Sequence, residues 1–208
     1  FIQTDGSHVY RVDHGDAYPR AISITQCEND GDITNVNYTL PVTLGNAIGN
    51  NTTGASIGGF ELSSENCIIA GNAVDFTAEE INIWGKRNIF ISVTDKNFAG
   101  SNIVWLTQYD ENQDFDVRTP HLVKLGEDQF LVMWEEASDN GKEVHTKIVT
   151  VDGSGNMTSG IVQRDMRLSD CKPEKCGDGL VRWFTSQNGS PVIYVVNPFG
   201  LNSRIKGD

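Results

Sequence analysis

Asp110, Asn112, Asp114 and Asp116 fall at alternate positions of the stretch YDENQDFDVRTP, residues 109–120. Oxygen-bearing side chains spaced in this way can converge on one cation, and calcium takes about six to eight such oxygens. The stretch meets the first three liganding positions of the helix-flanked loop D-x-[DN]-x-[DN]-G-x5-E. It then departs from the pattern, with Phe115 in the glycine place and His121 in that of the bidentate glutamate. Calcium is therefore the one cofactor these residues suggest, held by a loop on a β scaffold with help from backbone carbonyls. The competing reading is a polar connection whose aspartates cap turns through their own backbone. Asp116 before Pro120, Asp170 before Pro173 and Asp16 before Pro19 repeat one D-x(2,3)-P arrangement, which favours the turn.

Cys27, Cys67, Cys171 and Cys176 make an even set, and two disulfides are the expectation. CKPEKC would close a short local loop, leaving Cys27 to pair with Cys67. Free thiols are the alternative, and zinc is disfavoured because His8, His14, His121 and His145 are scattered. Asn-x-Ser/Thr triplets begin at Asn37, Asn50, Asn51 and Asn156 and mark candidate glycosylation sites. A further triplet at Asn188 runs into Pro191. Cysteines and triplets together point to an extracellular or secreted protein.

Motifs of enzymes are largely missing. GASIGG is not a G-x-S-x-G elbow, and LGNAIGNNTTGASIGG has no P-loop lysine, so it reads as a flexible loop. Glu135 and Glu136 are adjacent in an apolar run, so on a strand they point to opposite faces and do not share one substrate. His14 in VDHGD reads as an ordinary turn histidine. Trp84, Trp105, Trp134 and Trp183 lie within apolar runs and are expected in the core rather than as sugar-stacking surface. A net charge of −12 and a pI near 4.6 argue against nucleic acid or an anionic membrane as partner.

The elements that must position these residues are strands. NIFISVT, SNIVWLTQY, HLVKL, QFLVMWEE, HTKIVTV, LVRWFTS and PVIYVV are rich in β-branched and aromatic residues, with Gly, Asn and Asp between them. FTAEEINIW, residues 76–84, is the only helix candidate, and its INIW end reads equally well as a strand. FLVMWEEASDNGKEVHTKIVTVD and LVRWFTSQNGSPVIYVVNP repeat a Trp-bearing strand, an Asn-Gly turn and a second strand. Trp134 and Trp183 are roughly 50 residues apart, a period that resembles the four-stranded blades of β-propellers. A weaker unit begins near ENCIIAGNAV, and residues 88–110 match the strand–turn–strand of the QFLVMWEE unit. Residues 1–208 thus read as one all-β repeat domain of about four blade-like units, complete or part of a larger ring. A β-sandwich or jelly roll is the alternative. Propeller sialidases carry S/T-x-D-x-G-x-x-W/F boxes; TVDGSGNM comes close but has Ser154 in place of glycine.

The expectation is a non-catalytic structural or interaction module that binds protein or glycan through its loops, without membrane insertion and with self-association open. The rival is a carbohydrate-active hydrolase or lyase that draws its acids from different blades into one central pocket.

Overall fold

Runs of alternating or continuous apolar residues bounded by Gly, Asn and Asp form fifteen strands among the described residues, each paired with a neighbour in sequence. The computed structural model describes residues 1–14, 21–28, 30–42, 51–138, 140–141, 143–187 and 189–201. The strands form four antiparallel sheets. The first holds β1 (Ile2–Thr4), β2 (His8–His14), β3 (Ala21–Glu28) and β4 (Ile33–Pro41). The second holds β5 (Ser56–Leu62), β6 (Asn66–Ala73), β7 (Asn88–Asp95) and β8 (Ser101–Trp105). The third holds β9 (Phe115–Gly126), β10 (Gln129–Ser138), β11 (Val144–Asp152) and β12 (Val162–Arg164). The fourth holds β13 (Glu174–Lys175), β14 (Val181–Gln187) and β15 (Ser190–Val196). The all-β expectation holds. Strand order alone fits either stacked blades or a sandwich.

Three hydrophobic cores lie between consecutive sheets. Tyr10, Val12, Ile22 and Ile24 of the first sheet meet Phe60, Leu62, Cys67 and Ile69 of the second. Ile68, Ala70, Ile89 and Ile91, on the other face of the second sheet, meet Phe130, Val132 and Trp134 of the third. Leu131, Met133 and Ile148 on the third sheet's far face meet Val181, Trp183 and Val196 of the fourth. The middle sheets are therefore buried on both faces, which explains why CIIA and FLVMW are continuous rather than alternating runs. Trp134 and Trp183 hold matching places, each on the second strand of its sheet and turned back towards the sheet before it.

The repeat read from sequence is correct in its hairpins and shifted in one register. β10–β11 and β14–β15 are matching second and third strands. Residues 88–105 form β7–β8, the third and fourth strands of their sheet, so the true counterpart of β10–β11 is β6–β7. Any two antiparallel neighbours share the same alternation, so pattern alone cannot fix which pair is which. Residues 76–84 form turns and neither helix nor strand. Within the described residues the one helical element is the 3-10 turn Pro198–Gly200.

The first strands of successive sheets come together, β1 with β5, β5 with β9 and β9 with β13. A Cβ on Gly58 would lie inside the Pro120 carbonyl group and 2.7 Å from Pro120 Cβ; one on Gly59 would lie 2.7 Å from Leu122 Cβ. These glycines belong to β5, so the expected flexible loop is corrected from residue 56 onwards: only a strand without side chains fits this close to β9. Pro120 lies inside β9 at a register shift, preceded by Thr119 with φ of 51°. The bulge accommodates a residue that cannot donate to the ladder.

The turns at one end repeat their contacts. Asp95 accepts from the N–H groups of Asn97 and Ala99, and Asp152 accepts from Ser154 and Asn156 at the same two offsets. The turn after β7 reaches the first sheet through Lys96 to Asp5 at 3.7 Å, and the turn after β11 reaches the second through Asn66 Nδ2 to the Gly153 carbonyl at 2.8 Å.

Candidate functional site

The 109–116 stretch divides when it folds. Asp110 Oδ1 accepts from Asn112 N at 2.9 Å and its carbonyl accepts from Gln113 N at 3.2 Å, forming a capped turn. Asn112 and Asp114 are exposed. Asp116 enters β9 and turns away to Arg87, whose backbone N–H (3.2 Å), Nε (2.8 Å) and Nη2 all donate to it. Asp116 Oδ1 also accepts from Val117 N at 2.9 Å. Among the described residues, no three His, Cys, Asp or Glu side chains stand together as a metal-holding group.

Asp110, Glu111 and Asn112 instead wall a groove of about 330 Å³. Its opposite wall is the 74–87 connection, with Asp75, Glu80, Asn82 and Lys86. Tyr109 and Asn88 form the floor: Asn88 Oδ1 accepts from Tyr109 N at 2.6 Å, and the Tyr109 hydroxyl donates to Glu136. Burial and that carboxylate push the Tyr109 phenol well above its ordinary range. Trp84 stands between the lining residues Asn82 and Gly85 and is 90% exposed, which overturns its assignment to the core. Its backbone N–H donates to Asn82 Oδ1 at 3.0 Å, and Gly85 N donates to the Asn82 carbonyl at 3.0 Å, so a tight turn presents the ring. Trp134 and Trp183 are buried as expected, and Trp105 is half-buried, edge-on to Phe76 and Phe90.

A second cavity, also about 330 Å³, lies where the four sheets converge. It is lined by Phe1, Ser56–Gly58 of β5, Thr119–His121 of β9, and Asp170 and Lys172 ahead of β13. His121 is buried, and its Nε2 donates to the Ser169 carbonyl at 2.8 Å, leaving Nδ1 as the acceptor of a neutral ring. Burial holds its pKa below 6.5, against the opposing pull of the Ser169 carbonyl and Asp170. Lys172 Nζ donates to Glu61 Oε1 at 2.7 Å, while Gln3 Nε2 donates to Glu61 Oε2 at 2.9 Å and to the Phe60 carbonyl at 3.0 Å. Glu61 thus ties the first two sheets to the connection ahead of β13. Asp170 is the one carboxylate in this lining.

Glu135 and Glu136 point to opposite sides of β10, as their adjacency requires. Glu135 accepts from Arg118 Nε and Arg167 Nε, each at 3.0 Å, and from Leu168 N at 2.9 Å. Glu136 accepts from Tyr109 and lies 3.2 Å from Lys147 Nζ. They serve two different sheet interfaces.

All four cysteines are free thiols, which corrects the expected disulfides. Cys67 projects into the core between the first two sheets, where burial pushes its thiol up to about 12. Cys27 lies opposite Val9 and Ile33, on the far face of the first sheet, so that sheet's own backbone separates it from Cys67. Cys171 lies in the connection ahead of β13 and Cys176 directly after it, and the two are not bonded. Of the candidate glycosylation sites, Asn37 pairs with buried Ile24 on the face turned to the second sheet and is half-buried. Asn51 is exposed, with Nδ2 donating to the Ala55 carbonyl at 2.8 Å. Asn156 is exposed at the turn after β11, its Nδ2 3.2 Å from Asp152 Oδ2. Asn50, Asn188, Asp16 and Pro19 lie outside the described residues.

Sequence reasoning missed the groove because its walls come from two connections, and missed the convergent cavity because its lining is spread over the chain. The lone exposed signal within reach was INIW, an apolar cluster followed by glycine. Comparison with protein-family models, with curated proteins and with solved structures finds no match.

Proposed function

We propose that this chain is a non-catalytic interaction module that works outside the cell and binds glycan in the groove between the 74–87 and 106–114 connections. The observation that carries the reading is Trp84, 90% exposed on a turn whose residues Asn82, Gly85 and Lys86 line a groove rich in carboxylates and amides. A free aromatic face stacks on the C–H face of a sugar ring, while Asp75, Glu80, Asn82 and Asn112 supply partners for hydroxyl groups. The scaffold in this proposal is a run of propeller blades. Three successive cores between four sheets, first strands that meet one another, and turn contacts repeated from sheet to sheet all support blades over a two-sheet sandwich. With the cysteines unpaired, the extracellular setting rests on the exposed asparagines Asn51 and Asn156 of their triplets.

The hydrolase alternative would use the convergent cavity. Two-carboxylate glycoside hydrolysis needs a pair of acids facing one bond. Among the described residues Asp170 is the one carboxylate lining the cavity, and neighbouring Glu61 is held by Lys172 and Gln3. The test is binding of the chain to an array of glycans, followed by titration of any retained glycan with the Trp84→Ala variant. Retention with a loss of at least about tenfold in the variant is expected. An array that retains nothing, or a variant that binds equally well, refutes the reading. Turnover of the retained glycan would favour the hydrolase.

A further inference from the structure

We propose that copies of this chain associate head to tail, the outer face of the fourth sheet of one copy packing on the outer face of the first sheet of the next. The inference rests on the stacking of the sheets and is independent of the groove.

The second and third sheets each bury both faces, and the first and fourth bury one. The two remaining faces each carry exposed apolar rows beside polar ones. On the fourth sheet, Trp183 and Tyr194 face the core, so their neighbours Phe184 and Ile193, which pair across β14 and β15, face outwards. Val195 shares that face, opposite Arg182. Ile193 is 64% exposed, and Phe184 and Val195 are also exposed. On the first sheet, Tyr10, Val12 and Ile24 face the core, which leaves Val9, Cys27 and Ile33 aligned across β2, β3 and β4 on the outside. Ile2 and Val36 end the next outward row, with Arg11 and Thr25 between them, and Ile2 is 67% exposed.

An isolated surface isoleucine is ordinary, whereas cross-strand rows of isoleucine, valine and phenylalanine on a sheet face mark a surface that another element covers. The molecule itself shows what covers such a face. At each of its three internal interfaces, the trailing face of one sheet packs on the leading face of the next. The first sheet's free face is a leading face and the fourth's is a trailing face, so they are the two halves of one more interface of the same kind. Among the described residues both faces are open to solvent, and the occupant proposed for them is a second copy. Such a contact is heterologous, and it either closes into a ring or extends.

Sedimentation velocity across a concentration series tests this on three proteins: the wild-type chain, a Phe184→Asp/Ile193→Asp variant and an Ile33→Asp/Val36→Asp variant. All substituted side chains are exposed, and matching unfolding transitions verify that the variants fold. If either double variant is unfolded, Ile193→Ser or Ile33→Ser takes its place. The expected results are reversible association of the wild type, monomers for each variant alone, and a heterodimer when the two variants are mixed, because each retains one good face. A wild type that stays monomeric overturns the proposal. So does a variant that associates like wild type, or a mixture that remains monomeric; the last two would point to a symmetric or unrelated contact.

Discussion

Gly58 on β5 and Pro120 on β9 meet backbone to backbone, with the Pro120 carbonyl occupying the place where a Cβ on Gly58 would stand. The contact sits at the convergence of the sheets and fixes how closely the second and third approach. Gly58→Ala should destabilise the chain by about 1–3 kcal/mol, because backbone rather than a flexible side chain must move. Gly160→Ala, where a Cβ would meet nothing, should leave stability unchanged. Urea unfolding of the two variants checks this.

Glu135 is 3% exposed, while its partners Arg118 and Arg167 are 41% and 45% exposed. Removing the carboxylate strands two cations that water can reach; removing both arginines strands a buried anion. Arg118→Ala/Arg167→Ala should therefore cost more, about 3–5 kcal/mol, than Glu135→Leu, about 1–2 kcal/mol. Urea unfolding of the two variants beside the wild type gives both costs.

His121 links stability to pH. Its folded-state pKa lies below 6.5, so the unfolded chain binds the proton more tightly. The contribution is fully present above pH 6.5 and is lost as the pH falls through 6.5 towards the folded value. His121→Gln should flatten the stability profile below pH 6.5 relative to wild type. Unfolding followed across pH 5 to 8 tests the slope, the range where histidine titrates.

The cysteines should all be found as thiols. Cys171 is exposed and should react quickly with a thiol reagent, whereas Cys67 should react only on unfolding because burial keeps it protonated. Mass spectrometry after alkylation of the native and denatured chain, without reductant, distinguishes the two. A Cys27–Cys67 disulfide would contradict the placement of these residues on different faces.

Calcium should leave the unfolding temperature unchanged, since Asp116 is held by Arg87 rather than aimed at Asp110. A calcium-dependent rise abolished by Asp110→Ala would restore the loop as a metal site.

What could be read in the sequence is what neighbours along the chain decide. Glu135 and Glu136 were separable because alternation on a strand is fixed by backbone geometry. The Asn-Gly turns were legible because a positive φ favours glycine, as found at Gly141 and Gly189. Trp84 was misjudged because an apolar run looks the same whether it is packed or presented.

The sequence by itself determined the all-β character, the hairpins and the turn role of Asp110, all set by local periodicity and turn chemistry. Tertiary structure alone decided the rest. Arg87 reached Asp116 from the connection ahead of β7, the first sheet came between Cys27 and Cys67, and two connections joined to form a groove. Each depends on which sheet faces which, and that is settled by burying apolar faces from residues far apart in the chain.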